Sequence, residues 1–305
     1  MKLCDLDIRQ NIYYEKSTEV PFTGKVTGKE VGSLENGKMN GCWKRYYKNG
    51  QLRLIGYYKD GKEDGLSQYY YENGQLKTKG QFKDGKVDGL WQDYYKNGQL
   101  EYKGIFRDGE PDGHSESYYE NGSLRNKGNW KNGIPDGLWV DYFENDQLRL
   151  TGKYKFGKRD GLWEEYRENG KLSIKRNYKN GKQFGLWEKY RENGHLKYKG
   201  SFKDGIKDGL WETYNEYGQL EDRHNFKDGE NDGLWESYDN DGKLRYKWNF
   251  KDGIKDGPWE EYYENGHLEY KGYYKDGTKD GLWEYFNKNG SADYSITYKE
   301  GFKWD

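Results

Sequence analysis

The chain has 305 residues and sets 52 basic against 53 acidic side chains, a balance that offers neither the basic stripe of a nucleic-acid binder nor the clustered Lys and Arg that an anionic membrane attracts. Forty-three glycines, 32 tyrosines and 12 tryptophans against a single alanine, Ala292, exclude a helical bundle. A mean hydropathy of −1.39 is what a disordered chain shows, but aromatic residues at 18% bring large buried area and predict a folded, aromatic-cored β protein.

Met1 to Gln10 lacks the apolar centre of a signal peptide, and no stretch approaches the ~18 apolar residues of a membrane span, so the expectation is a soluble, cytoplasmic chain that does not bind membranes. Residues 1–36 depart from the pattern that follows and are read as a capping segment. Two cysteines, Cys4 and Cys42, are too few for a disulfide framework. Cys42 stands where most copies of a repeat have Leu and is expected to be a small buried hydrophobe.

From residue 37 to 301 a repeat governs everything. A glycine recurs every 24 residues from Gly41 to Gly281, eleven copies without a slip, and a second series runs from Gly37 to Gly301. The unit between Phe82 and Gly104 is typical: aromatic-K-D-G, then D-G-L-W, then Y-Y-x-N-G-x-L-x-x-K-G. Tryptophan fills its slot at 43, 91, 139, 163, 187, 211, 235, 259 and 283, with Ser67 and Ser115 as exceptions that would leave a gap or groove beside Trp91. Asn97-Gly98 between two short β-type runs predicts a hairpin with a two-residue type I′ turn. In that register Lys96 faces Gln99, Tyr95 faces Leu100, Asp93 faces Tyr102 and Trp91 faces Gly104.

Alternation puts Trp91, Tyr95, Leu100, Gly104 and Phe106 on one face and Leu90, Tyr94 and Ile105 on the other. Aromatics on both faces imply a bulge near the Asp-Gly or tyrosine hydroxyls that reach solvent. The fold class is therefore all-β: an elongated single-sheet solenoid of about eleven antiparallel hairpins, each hairpin too small to stand alone. Its structural core is read as Trp91, Leu100, Phe106, Trp139, Trp163, Trp187, Trp259 and Trp283. Residues 302–305 form a tail, and an open sheet edge there would allow either a monomer or an edge-paired homodimer.

This unit resembles the MORN repeat variant, and with it the bacterial proteins grouped as YwqK-family antitoxins; Tyr13-Tyr14 and Pro21-Phe22-Thr23-Gly24-Lys25-Val26 resemble that group's N-terminal segment. The resemblance implies a repeated β-hairpin sheet that binds proteins or, in eukaryotic relatives, phospholipid, and an antitoxin-like role. It carries over no catalytic residue. The Lys, Asn, Tyr and Gly bias fits an A+T-rich bacterial genome.

Catalytic chemistry is not expected, nor is a cofactor or a metal. His114, His195, His224 and His267 lie in separate units, and no phosphate-binding loop or nucleophile elbow is present. Paired aspartates such as Asp84 with Asp88 and Asp204 with Asp208 are explained by turn chemistry, though calcium at these loops stays open on the sequence. The informative positions are breaks in the pattern: the Gly opposite Trp is replaced by Arg176 (opposite Trp163), His224 (opposite Trp211) and Trp248 (opposite Trp235). Arg176, Trp211, His224, Trp235 and Trp248 are the candidate partner-binding residues, with the second-position tyrosines Tyr47, Tyr71, Tyr95 and Tyr119 as further exposed anchors. The leading reading is a non-enzymatic scaffold that acts by covering an unidentified protein partner; a glycan-binding role for the aromatic rows and a plain structural spacer are the alternatives.

Overall fold

A computed structural model describes residues 1–304. All of its regular structure beyond a single 3₁₀ turn, Leu3–Asp5, is β-strand. The chain divides into two compact units, Met1–Arg149 with Tyr154–Gly157, and Leu150–Lys153 with the chain from Lys158. Within each unit successive strands pair antiparallel with their neighbours in sequence, two strands per repeat, as the sequence predicts.

The two turns of a repeat differ, and the type I′ turn is not where the sequence placed it. Asp84 and Gly85 both take positive φ, 51° and 83°, and Lys83 faces Lys86 across them; this Asp-Gly pair is the two-residue turn. At Asn97-Gly98 only the glycine is left-handed, with φ 89°. There the Gly98 N–H donates to the Tyr95 carbonyl at 2.9 Å and the Tyr95 N–H donates to that of Gln99 at 2.8 Å, a type I turn followed by a bulged glycine. Asn97 sits where its side-chain oxygen accepts from the Gln99 N–H at 2.9 Å. The extra residue moves the closing pair: Tyr94, not Tyr95, faces Leu100, while Asp93–Tyr102 and Trp91–Gly104 stand as expected.

A second irregularity lies at the other Asp-Gly. Val87 faces Phe82 but Trp91 faces Gly80, so Asp88, Gly89 and Leu90 are set against Gln81 alone, and Gly89 takes a φ of 113°. This is the expected bulge. It is tied down by Asp88, whose carboxylate accepts the Asp108 backbone N–H of the next turn at 3.4 Å. Asp64, Asp160, Asp232 and Asp256 do the same in their own units.

Trp91 pairs with a glycine on either side, Gly80 and Gly104, and the indole covers the one behind it. A methyl group on Gly80 would meet Trp91 at 2.2 Å, whereas one on Gly104 would meet the Tyr102 hydroxyl. Trp43 lies in the same way on Gly32, Trp139 on Gly128, Trp163 on Gly152, Trp211 on Gly200 and Trp283 on Gly272. Gly32 belongs to the segment expected to lie outside the period, so the glycine row begins there. That segment also supplies the largest apolar cluster, Leu6, Phe22, Val26 and Leu34 packed on Met39, Trp43 and Tyr58.

The opposite face carries the Leu of each Leu-Trp pair, and it is open to solvent. Cys42 shares this slot and is exposed, which corrects the expectation that it is buried. Repeats are joined at both edges as well as by the ladder. The Tyr95 hydroxyl donates to the Tyr118 carbonyl at 2.8 Å, and Tyr47, Tyr71 and Tyr119 repeat that bond one repeat on. At the other edge the Gly109 N–H donates to the Val87 carbonyl at 2.8 Å. The second-position tyrosines are therefore half-buried inter-repeat ties, with their hydroxyls engaged.

Two outcomes test this packing. Gly200→Ala places a methyl 2.1 Å from the Trp211 indole and is expected to lower stability by about 1–3 kcal/mol in urea unfolding, as overpacking does. Gly56→Ala, whose methyl crowds the small Ser67 side chain and meets the Tyr58 ring only at ordinary contact distance, costs less; equal losses would contradict the role given to the indole. Phe156 holds the first, left-handed position of its turn (φ 50°) while 71% exposed, so Phe156→Asn is expected to stabilise by about 1 kcal/mol, and an unchanged or lowered midpoint would contradict strain there.

Candidate functional site

In the second unit the residue four before each tryptophan alternates: Arg159, Gln183, Lys207, Asn231, Lys255, and then Lys279. Where it is basic it lies over the indole. Arg159 stands 4.4 Å from the Trp163 ring centre, Lys207 4.3 Å from Trp211, Lys255 4.3 Å from Trp259 and Lys279 3.9 Å from Trp283. These four indoles are buried. Burial in turn pushes the Lys207 ammonium below the usual lysine range. With glycine beneath and a cation above, the broad faces of Trp163, Trp211 and Trp283 are both occupied, so they present no stacking platform.

Trp187 and Trp235 lack the cation and also lack the glycine. Arg176 faces Trp163 and Trp187, His224 faces Trp211 and Trp235, and Trp248 faces Trp235 and Trp259. Each replacement meets the tryptophan that follows it. The Arg176 guanidinium is 5.8 Å from the Trp187 ring, where a stack on Trp163 was expected; Arg176 also pairs with Glu165 at 3.1 Å. His224 stacks on Trp235 at 4.7 Å and Trp248 on Trp259 at 4.6 Å, with Trp235 and Trp248 edge to face at 5.7 Å.

Of the five candidate partner-binding residues, the structure thus brings His224, Trp235 and Trp248 together and keeps Arg176 apart on Trp187. Trp211 is 4% exposed, sealed between Gly200 and Lys207, and is a core residue and no contact residue. Among the expected core residues, Trp163, Trp259 and Trp283 are buried, and Trp91, Leu100, Phe106, Trp139 and Trp187 are half-buried.

The indole N–H groups are satisfied unevenly: those of Trp91 and Trp139, both on glycine, donate to Asp93 and Asp141 at 2.9 Å. Trp43, Trp163 and Trp211, lying on glycine, donate their indole N–H to the carbonyl ten residues back, at 3.1, 3.2 and 3.1 Å. The indole nitrogens of Trp187, Trp235 and Trp248 are buried with no partner in the protein, as are His224 Nδ1 and Asn231 Oδ1; Trp283 shares the defect although its glycine is intact. The cluster is self-packed, at the cost of unpaired polar atoms.

The other face has a different character. Leu162, Leu186, Leu210 and Leu282 are 44–53% exposed and face Asn177, Ser201, Asn225 and Thr297 across the sheet; in the two repeats between Leu210 and Leu282 the slot holds a half-buried Leu234 and then Pro258. By strand spacing the leucines recur every ~9.6 Å. Beside them runs a ladder of paired charges: Lys175 with Glu164, Lys199 with Glu212, Arg223 with Glu212 and Glu236, Lys247 with Glu260 and Lys271 with Glu284. Tyrosines complete the row; Tyr190 donates to Glu188 at 2.9 Å, and burial together with that carboxylate pushes its phenol up to about 12. In the first unit Leu90 and Leu138 hold the same slot, also exposed. The remaining histidines are structural: His195 and His267 bond to the Glu216 and Lys288 carbonyls, and His114 to Glu116.

Burial holds His224 below the usual histidine range, countered in part by Asp222 and helped by Lys207. The neutral ring is then the folded form, and stability falls as pH drops through the ordinary value near 6.5 because the unfolded chain takes up the proton first. His224→Gly restores the seat for Trp235 and its bond to the Asn225 carbonyl. It is expected to raise stability by about 1 kcal/mol at pH 7, the released polar penalty less the cost of a strand glycine, and to lose the decline below pH ~6.5. A less stable variant would show that the ring stack outweighs the lost bond.

Comparison with known proteins agrees with this construction. The family model for the MORN repeat variant matches residues 39–60, 63–84, 87–108, 111–132, 159–180, 185–204, 231–252 and 255–276, together more than half of the chain. No curated protein matches it. Among solved structures the chain is similar to the TcdB2-TccC3-TEV crystal structure, at 14% identity over 86% of this chain and 16% of that one, and to the Tc holotoxin pore of Photorhabdus luminescens, at 13% over 94% and 18%; the TM-score is 0.18 for both. This chain spans less than a fifth of either of those chains, and superposition this poor carries no argument about function. Eight in-register matches on a chain built of Trp-on-Gly hairpins place it in a family: the chain belongs to the MORN repeat variant family.

Proposed function

We propose that the chain is a non-enzymatic protein-binding scaffold whose contact surface is the row of exposed leucines, and that it acts by covering its partner's surface. An antitoxin-like role, implied by the resemblance to the YwqK group, is one form of that action. The observation that supports this reading is leucine held at one slot, repeat after repeat, where the fold does not need it. Leu186 and Leu210 are about half exposed, and Cys42, His114 and Pro258 occupy the same slot elsewhere without disturbing the ladder. A run of apolar side chains in successive repeats on a solvent-facing sheet, as from Leu162 to Leu210, is the kind of surface that partners cover. The flanking charges are already paired, so a partner that covers the leucines buries no uncompensated ion.

The double variant Leu186→Lys, Leu210→Lys tests it. Its unfolding midpoint is expected to match the parent's within about 0.5 kcal/mol, as for other exposed substitutions, while capture of a stoichiometric protein from host lysate is lost. His224→Gly is expected to keep that capture. Loss with His224→Gly and retention with the leucine variant would move the contact to the aromatic cluster, and no capture by the parent chain would leave a spacer.

A further inference from the structure

The first unit has a hollow that the leucine surface does not use. Ser67 stands where the repeat calls for tryptophan, so between Trp43 and Trp91 one indole is missing from the row. Ser67 is fully buried, sits over Gly56, and bonds to Glu63, which also accepts from Tyr58 and Tyr69. Close by, a cavity of about 290 Å³ is lined by Tyr47, Arg53, Tyr69, Tyr70, Lys77, Thr78 and Trp91.

Its walls and its charges point to one ligand chemistry. Tyr69 and Trp91 supply flat apolar surface, and the volume takes a single ring with a short substituent. Thr78 and the Trp91 indole both donate to Asp93, at 2.7 and 2.9 Å, so the polar groups of the floor are already satisfied and the floor selects for an apolar body. At the rim stand Arg53 and Lys77, equivalent residues of successive repeats. Each rests against a tyrosine, Arg53 5.9 Å from the Tyr47 ring and Lys77 5.7 Å from that of Tyr71, and neither forms an ion pair among the described residues. The next residue in their series is Glu101, which ends the positive stretch. Asp93 and Glu63 are both taken up by donors of the protein, so the two rim cations are the groups left to hold an anion. The Arg53 guanidinium fork matches a carboxylate.

From this we infer that the cleft beside Ser67 binds an aromatic acid: a ring between Tyr69 and Trp91, its carboxylate held by Arg53 and Lys77. The site is independent of the leucine row. A neighbouring hollow of about 470 Å³, lined by Tyr47, Tyr71, Glu72, Asn73 and Lys96, shares Tyr47 with it and gives a path for a longer chain ending in such a group. The ligand is thus either a free aromatic acid or the C-terminal phenylalanine of a peptide, one chemistry from two sources.

Titration calorimetry of the full chain with phenylacetate, phenethyl alcohol and the peptide acetyl-Gly-Gly-Phe, as acid and as amide, separates them. Saturable binding of phenylacetate and none of the alcohol is the expected result; tighter binding of the peptide acid than of phenylacetate assigns the chain terminus, and the reverse assigns the free acid. Arg53→Gln and Lys77→Gln are each expected to weaken binding about tenfold, the loss of one charge-assisted contact, while Lys251→Gln, an exposed lysine of the other unit, leaves it unchanged. Both site variants change exposed side chains and fold as the parent does. No saturable binding of either acid, equal binding of the alcohol, or unchanged affinity in the Arg53→Gln, Lys77→Gln double variant would overturn the assignment.

Discussion

The contact from which the repeats of this protein are built is an indole laid on a glycine of the strand before it, as at Trp43, Trp91, Trp139, Trp163, Trp211 and Trp283. Backbone pairing alone would give a sheet with two wet faces, and such a sheet has no hydrophobic reason to persist. A tryptophan lying flat on the preceding strand makes its own core within one layer. The glycine is obligatory beneath it, since a methyl there would come within about 2.2 Å of the ring at Gly80, Gly200 or Gly272. Because the contact runs backward along the chain, the first tryptophan needs a seat before the first full hairpin, and Gly32 provides it within a segment whose apolar residues close over Trp43.

This arrangement tolerates defects in a graded way. Where the glycine is kept and a cation lies above, as at Trp163, Trp211 and Trp283, the indole is buried, and at Trp163 and Trp211 its N–H is bonded as well. Where the glycine becomes Arg176 or His224, the following indole, Trp187 or Trp235, is half-buried and its N–H has no partner in the protein, and His224 stacks on Trp235. Where tryptophan itself becomes serine, the glycine is covered by something smaller and space opens beside the next indole, as at Ser67. From Arg159 to Asn231 the slot alternates, so Trp163 and Trp211 are sealed and Trp187 and Trp235 half-sealed; Lys255 and Lys279 then lie over two consecutive buried indoles.

Much of this was legible in the sequence. The 24-residue step fixed the repeat, and the central register pairs, Trp91 with Gly104 and Asp93 with Tyr102, followed from one Asn-Gly. The turn itself was misread, because Asn-Gly suits both a type I′ turn and a type I turn closed by a bulged glycine, and the two differ by one residue only at the pair next to the turn. The direction of the indole could not be read, since Trp91 has a glycine on each side and pairing alone does not say which it covers. Cys42 was misjudged for a related reason: its slot holds an apolar residue in most repeats, and apolar residues are usually buried, yet the strand's alternation puts that slot on the solvent side. Spacing puts His224, Trp235 and Trp248 on neighbouring strands, but the stacking of His224 on Trp235 and of Trp248 on Trp259 depends on side-chain directions that spacing does not give.

The same one-layer construction explains why a binding surface is available. With the core made on the tryptophan side, the leucine side has no structural duty beyond the ladder, and its composition is free to suit a partner. That freedom rests on the backward contact of each indole. Amide hydrogen exchange on Trp211→Ala tests it most directly. The account predicts that protection falls most in the preceding strand Leu196–Lys203, which bears Gly200, and less in the following strand Leu220–Lys227. Equal loss in both strands, or greater loss in Leu220–Lys227, would contradict it.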